Sequence, residues 1–332
     1  MAGKYDHLYE IQPLLVQIEL TEACNLKCRF CYNSQKPRFN HKVFEMMDVL
    51  AQQGIMQLTL TGGEPLMHPD FFEILNRAVE LFPNVMILSN GALMTDENVK
   101  RICDIGPMSV SISIHGDAET HDSLTGVKGS FDASTNAIKA YLRDKRIPVA
   151  SNFVLNAFNK KVMPKTAEYL QSIGLKFMTV TRFVPVGIGQ SAHDLEIEKN
   201  DMIDIMRFAE HFMQHNEMHI EFAEAMPFCI VPPDLKHLCN TCSYGYDRFY
   251  ADVEGNLMVC GLTRIPLGGN ILETPLSEIK RNSDVFNCFV RQEQLPRKCL
   301  KCSTLAVCHG GCRASAMKDG NWRETPDSFC SK

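Results

Sequence analysis

The sequence predicts an α/β protein: an open or partial barrel of six β/α units, followed by a small cysteine-rich domain. Three observations predict it. Short apolar runs alternate with segments of helical period from about residue 14 to residue 190. Periodicity then weakens. Fourteen cysteines are spread unevenly over 332 residues, with three near the start, Cys103 alone, and ten between 229 and 330. Strands alternating with helices argue for parallel βα units joined by right-handed crossovers.

The strands are expected at "LLVQIEL" (14–20), "QLTLT" (57–61), "VMILSN" (85–90), "SVSISI" (109–114), "VASNFVL" (149–155) and "KFMTVTRF" (176–183). Between them, "DFFEILNRAVELF" (70–82), "NVKRICDI" (98–105), "FDASTNAIKAYLRDK" (131–145) and "VMPKTAEYLQSIG" (162–174) repeat apolar residues at helical spacing. The expected organisation is an N-terminal segment (1–13), the partial barrel (14–190), a helical bridge (191–235) with its helix near 194–218, and the cysteine-rich domain (236–332). No internal repeat or low-complexity tract interrupts it.

Composition narrows the class. With 45% hydrophobic and 22% charged residues the chain can bury a core, and a formal net charge of −5 supplies no field for nucleic acid or an anionic membrane. No apolar run reaches the ~20 residues of a membrane span. The amino terminus lacks the basic start and apolar core of a signal peptide, so the expected location is the cytoplasm. Clustered thiols in a large chain of that kind point to metal binding rather than disulfides.

Functional residues in parallel βα folds gather at the carboxyl ends of the strands. "EACNLKCRFCYN" (22–33) follows the first strand, "TGGEPLMHP" (61–69) the second, "SNG" (89–91) the third and "HGDAETHD" (115–122) the fourth. Cys24, Cys28 and Cys31 can hold three irons of a [4Fe–4S] cube and leave the fourth open to a ligand that is not protein. On spacing alone, zinc with a fourth ligand elsewhere fits equally. In "GGEP", adjacent glycines permit close approach to the backbone, and Glu64 can accept a hydrogen bond from an ammonium group.

"CNLKCRFC" together with "TGGEP" resembles the radical S-adenosylmethionine (SAM) superfamily, over about residues 14–185. The resemblance implies that Cys24, Cys28 and Cys31 hold the reducing cluster, whose open iron chelates the amino and carboxylate groups of SAM. It also implies that Phe30 lies near the adenine, that Gly62, Gly63 and Glu64 meet the methionine amino group, and that Ser89, Asn90 and Ser113 meet the ribose and carboxylate. Many members carry an Arg after "HD" in the fourth loop, where this chain has Thr125. Within the barrel, water must be excluded from the radical chemistry.

The carboxyl-terminal spacing, Cys242-x12-Gly255-x4-Cys260, then Cys299-x2-Cys302-x5-Cys308-x3-Cys312 and Cys330, resembles the SPASM domain, an extension that carries two further [4Fe–4S] clusters. By that pattern Cys242, Cys260 and Cys312 hold the first auxiliary cluster, with Cys239 as fourth ligand and Cys229 as runner-up. Cys299, Cys302, Cys308 and Cys330 hold the second. The two CxxC pairs also suit zinc ribbons. Cys103, Cys229 and Cys288 are left over. They are small apolar fillers or, for Cys229 and Cys288, candidate hydrogen-atom donors. His115 and His121, in a top loop, are either substrate contacts or structural. Tyr244, Tyr246 and Asp247 fall between auxiliary ligands.

The expected activity is reductive cleavage of SAM to a 5′-deoxyadenosyl radical that abstracts a hydrogen atom, modifying a ribosomally made peptide by crosslinking, oxidation or epimerisation. The alternatives are a small-molecule natural product, sugar or tetrapyrrole as substrate, and a non-catalytic iron–sulfur electron carrier. A flavodoxin or ferredoxin is the expected reductant. The first strand begins too early to leave room for a leader-recognition domain, so either a separate peptide-recognition protein or a substrate bound without one is expected. Sulfatase-type maturases place an Asp directly after the cysteine matching Cys260. Gly261 stands there in this chain and argues against that subgroup.

Overall fold

β1 (Leu15–Thr21) is buried along nearly its whole length, Gln17 excepted, which is the mark of a strand covered on both faces. The structure, a computed structural model, describes residues 13–291, 295–317 and 321–330. β1 begins a parallel series with β2 (Gln57–Gly62), β3 (Asn84–Ser89), β4 (Ser109–Ser113), β5 (Val149–Leu155) and β6 (Phe177–Arg182), each hydrogen-bonded to the next. This order is the six-unit partial barrel expected from the sequence, and the strand positions agree within a residue or two.

The crossover helices are α1 (Val43–Gln52), α2 (Phe71–Leu81), α3 (Asp96–Ile105), α4 (Ala118–Thr125), α5 (Ser130–Asp144) and α6 (Met163–Ser172). Their apolar stripes close on the sheet. In α1, Val43, Met46, Met47 and Leu50 recur at i, i+3, i+4 and i+7, and all are buried. Caps set the ends of α3: Thr95 Oγ1 accepts from Asn98 N, and Gly106 terminates the helix at φ +88°. α1 and α4 were not among the expected helices. α4 is short, and its polar "AETHDSLT" reads as a loop.

The sheet does not stop at six strands. After α7 (Lys199–His215), β7 (His219–Phe222) adds in parallel to β6, so the segment expected as a helical bridge also contains a strand. On the other side β8 (Arg248–Ala251) pairs in parallel with β1, and β9 (Asn256–Met258) and β10 (Pro266–Asn270) extend it antiparallel. The cysteine-rich region is therefore joined by backbone hydrogen bonds to the free edge of the barrel's first strand. Beyond it lie α8 (Leu276–Asn282), α9 (Asp284–Arg291), α10 (Arg297–Leu300), α11 (Leu305–Cys308) and α12 (Arg313–Met317). Among the described residues no helix is long and apolar enough to cross a membrane.

Candidate active site

The loop carrying Cys24, Cys28 and Cys31 leaves the carboxyl end of β1 and is gripped by backbone hydrogen bonds from three other loops. Gly63 N donates to Thr21 O (2.6 Å) and Glu64 N to Ala23 O (2.8 Å). Lys27 N and Arg29 N donate to the Thr125 and Leu124 carbonyls at the end of α4 (2.8 and 3.1 Å). Gly189 N, after β6, donates to Cys31 O (2.9 Å). The tops of β2, β4 and β6 thus hold one loop.

The three thiols are close enough to feel one another. Burial, then Cys31 and Cys24, push the Cys28 thiol up. Burial is also the main cause that lifts Cys24, to about 11, with Glu64 and Cys31 adding to it. Cys31 is raised by burial, against hydrogen bonds from Asn33 and Gln35 and the pull of Arg264. Three partly buried thiols are costly to ionise together, and a bound cationic core relieves that cost while demanding thiolates. Among the described residues no three His, Cys, Asp or Glu side chains close on a point as ligands of a single ion do. A cube spreads its thiolates over separate irons. The donor set therefore fits an iron–sulfur cluster.

The glycines of the second loop have a sharper role than expected. A Cβ on Gly62, at φ +147°, would stand 2.3 Å from Thr21 O, and one on Gly63 would stand 2.2 Å from Ala23 O. The close approach here is by the backbone of the cysteine loop itself. Glu64 follows, fully buried. Its carboxylate accepts from Ser89 Oγ (2.8 Å), Asn90 N (2.8 Å) and Leu66 N (3.2 Å). Burial pushes it up to about 7 despite these donors. Asn90 Nδ2 in turn donates to Asn25 Oδ1 (2.8 Å) and points at Cys24 Sγ (3.7 Å). Glu64, from the loop after β2, and Ser89 and Asn90, at the end of β3, thus converge beside Cys24.

Ser113 ends β4, partly exposed, and pairs in register with Asn152. Phe30 sets its ring edge-on to His115 at 4.7 Å. His115 and His121 stack at 5.5 Å, and their Nδ1 atoms accept from Val154 N and His115 N. These bonds give both histidines a structural role. At the position where many members carry Arg, Thr125 is buried and donates to the His121 carbonyl (2.9 Å), while its own carbonyl anchors Lys27.

The later cysteines fall into two groups. Cys242, Cys260 and Cys312 share one neighbourhood. Burial and the Cys260 thiol push Cys242 up to about 12, and Cys312 is raised well above its ordinary value by burial, with Glu224, Asp327 and Cys242 adding to it. Cys299, Cys302, Cys308 and Cys330 line one cleft with ≈ 370 Å³ of free space, and Cys229 lines it too. The donor chemistry of both groups fits iron–sulfur clusters. Cys239 is not brought to the first group; the thiol that raises its pKa is Cys308. Cys288 is buried and shares a cavity with Cys242 and Trp322, while Cys103 is buried in the core of the barrel.

A family model for the radical SAM superfamily matches residues 18–170, the span from β1 to α6. That span carries a radical SAM domain. It is 29% identical over 325 residues to the AdoMet-dependent heme synthase of Methanosarcina barkeri, covering 92% of each chain. It is 31% identical to the sporulation killing factor maturation protein SkfB of Bacillus subtilis, over 80% of this chain and 64% of that one. The solved structure of Streptococcus suis SuiB bound to precursor peptide SuiA shares the fold, with a TM-score of 0.77 at 18% identity, over 97% of this chain and 76% of that one.

Several residues around these thiols carry no motif. Arg264 forms an ion pair with buried Glu19 (2.6 Å), whose same oxygen accepts from Asn33 Nδ2 (2.7 Å) under the cysteine loop. Glu224 and Asp327 flank Cys312 through Arg182. Only a helix-to-strand change after residue 215 would have drawn attention to Glu224. Gly261 also gains a reason: a Cβ there would stand 3.0 Å from the Tyr250 ring and 3.4 Å from that of Tyr32. Tyr32 neighbours Cys31, and Gly261 neighbours Cys260, so these contacts join the two thiol groups.

Proposed function

We propose that this chain reductively cleaves SAM and uses the resulting 5′-deoxyadenosyl radical to abstract a hydrogen atom from a ribosomally made peptide, leading to a crosslink, an oxidation or an epimerised centre. The observation that carries the reading is the convergence of Glu64, Ser89 and Asn90 beside Cys24. A carboxylate fixed by three donors next to an incompletely ligated thiol set is what an amino acid chelated at that corner needs for its ammonium.

Cys24, Cys28 and Cys31 would hold the [4Fe–4S] cluster that supplies the electron. Glu64 would orient the methionine ammonium, Phe30 would cover the adenine, and Ser89, Asn90 and Ser113 would meet the ribose and carboxylate. Cys242, Cys260 and Cys312 would hold the first auxiliary cluster, and Cys299, Cys302, Cys308 and Cys330 the second. A flavodoxin or ferredoxin is the proposed reductant. Cys229 and Cys288 are carried as hydrogen-atom donors for an epimerase, to be tested by solvent deuterium incorporation in their alanine variants.

Peptide as substrate is supported by the likeness to SkfB, a maturation protein, and to SuiB, bound to a precursor peptide. One observation favours a second reading, modification of a tetrapyrrole: the heme synthase relative matches over 92% of each chain. Anaerobic incubation with SAM and dithionite tests the common core, and 5′-deoxyadenosine is the expected product. None from protein holding about twelve irons, four per cube, would sink the proposal. Deuterium transfer into deoxyadenosine from labelled peptide, or from labelled tetrapyrrole, separates the two substrates.

A further inference from the structure

Cys288 and His309 line a cavity with Cys242, and a carboxylate, Glu224, faces the first auxiliary thiol group from the barrel side. Glu224 lies two residues past β7, where Ala223 N still pairs with Val180 O (3.1 Å). Its position is set by the end of β6: Arg182 N donates to Glu224 Oε2 at 2.9 Å. That leaves Oε1 turned to Cys312 Sγ at 3.9 Å, its one hydrogen-bond partner among the described residues. The Glu224 side chain is 10% exposed. Arg182 pairs with Glu224 only through the far oxygen, Oε2, and at long range. The guanidinium is bonded to both oxygens of Asp327 (3.2 and 2.9 Å) and stands 3.8 Å from Glu224 Oε2.

Cys239 faces elsewhere, for a reason built into the backbone. The chain at 239–242 runs beside residues 222–225, with Cys239 extended and Asn240 bridged in parallel to Ala225. Successive side chains of an extended segment point to opposite sides. Asn240 Nδ2 reaches back to Phe222 O (2.8 Å), and Cys242 is on that same side. Thr241 Oγ1 points the other way, to Val307 O (2.9 Å), and Cys239 goes with it toward Cys308. Bringing Cys239 to Cys242, Cys260 and Cys312 would mean reversing the segment and breaking both bonds.

We propose that Glu224, rather than Cys239, supplies the fourth protein ligand of the first auxiliary [4Fe–4S] cluster, beside Cys242, Cys260 and Cys312. This rests on the reading of those three thiols as cluster ligands. A carboxylate carries the same unit negative charge as a thiolate, so the replacement leaves the net charge of the ligated cube unchanged. It exchanges a soft donor for a hard one on one iron, and that iron becomes the labile corner.

The test uses the full chain with Cys24, Cys28 and Cys31 all replaced by Ala, which leaves only the auxiliary clusters to be read. Reconstituted anaerobically, this parent is expected to hold about eight irons. Glu224→Ala should lose about one iron on mild oxidation and develop the EPR signal of a three-iron cluster. Glu224→Cys should restore the count with an altered reduced-state EPR spectrum, whereas Cys239→Ala should match the parent in both. A role for Glu224 in folding alone would not produce the three-iron signal, nor would Cys at that position change the spectrum. The inference is overturned if Glu224→Cys and parent spectra coincide, or if Cys239→Ala is the variant that yields the three-iron form. A parent holding about four irons or fewer would instead overturn the two-cluster reading, and the inference with it.

Discussion

Arg182 and Asp327 form a doubly hydrogen-bonded ion pair (2.9 and 3.2 Å) with side chains 3% and 0% exposed, although 145 residues separate them. Arg182 ends the sixth barrel strand, and Asp327 lies three residues before the last cysteine. Asp327 also accepts from Cys312 N at 2.8 Å and Phe329 N at 2.9 Å, and the Phe329 ring lies under the guanidinium at 4.1 Å. One carboxylate therefore ties the barrel to the segment that presents Cys312.

Replacing Asp327 with Ala leaves a buried guanidinium with only its long contact to Glu224, for which the expected cost is about 3–5 kcal/mol. The exposed pair Arg29–Asp194, with side chains 47% and 63% exposed, should cost at most about 1 kcal/mol when Asp194 becomes Ala. Anaerobic denaturant titration of the two variants checks the contrast. Equal losses would show that the buried pair is not a staple.

Glu64→Gln is expected to leave iron content unchanged and to slow 5′-deoxyadenosine formation by about 10- to 100-fold, the worth of one charge-assisted hydrogen bond. The carboxyl is pushed up to about 7 by burial, so the wild type should lose activity as pH falls through that value and the carboxylate protonates. The variant should lack that limb. For stability the sign is opposite. Between pH 4.5 and about 7 the folded chain keeps a proton that the unfolded chain has released, so Glu64 costs stability as pH rises across that window. Thermal melts of the cluster-free protein at pH 5 and pH 8 read this difference.

Gly63→Ala forces a Cβ to within 2.2 Å of the Ala23 carbonyl, with backbone on both sides of the contact. The cysteine loop must move, and iron content should fall from about twelve to about eight as the first cluster is lost. Gly54→Ala is the control: φ is +78° but nothing lies within 4 Å. It should cost only about 1 kcal/mol of left-handed strain and keep all the iron.

Gly261→Asp would place a side chain against the Tyr250 and Tyr32 rings, next to Cys260. Overpacking of this kind costs about 1–3 kcal/mol. The expected result is loss of about four irons, those of the first auxiliary site, with the cleft of Cys299, Cys302, Cys308 and Cys330 still filled. Iron analysis and EPR of the variant check it, and full loading would show that Gly261 is not constrained by the rings.

Much of this molecule is local and so was legible in the chain. Period-2 and period-3.6 patterns are consequences of backbone geometry within a few residues, and six strands and their main crossover helices followed from them. The spacing of Cys24, Cys28 and Cys31 is equally local, as is "GGEP". What had no local signature is what depends on residues far apart in sequence. That the backbone of Thr21–Ala23 needs Gly62 and Gly63 became visible only when two loops met. The attachment of β8 to β1 joins positions over 200 residues apart, and a strand of four residues carries no mark of its neighbour. Arg182, Glu224 and Asp327 are ordinary charged residues in the sequence. Burial beside Cys312 makes them part of the site, and burial is decided by the packing of the whole chain.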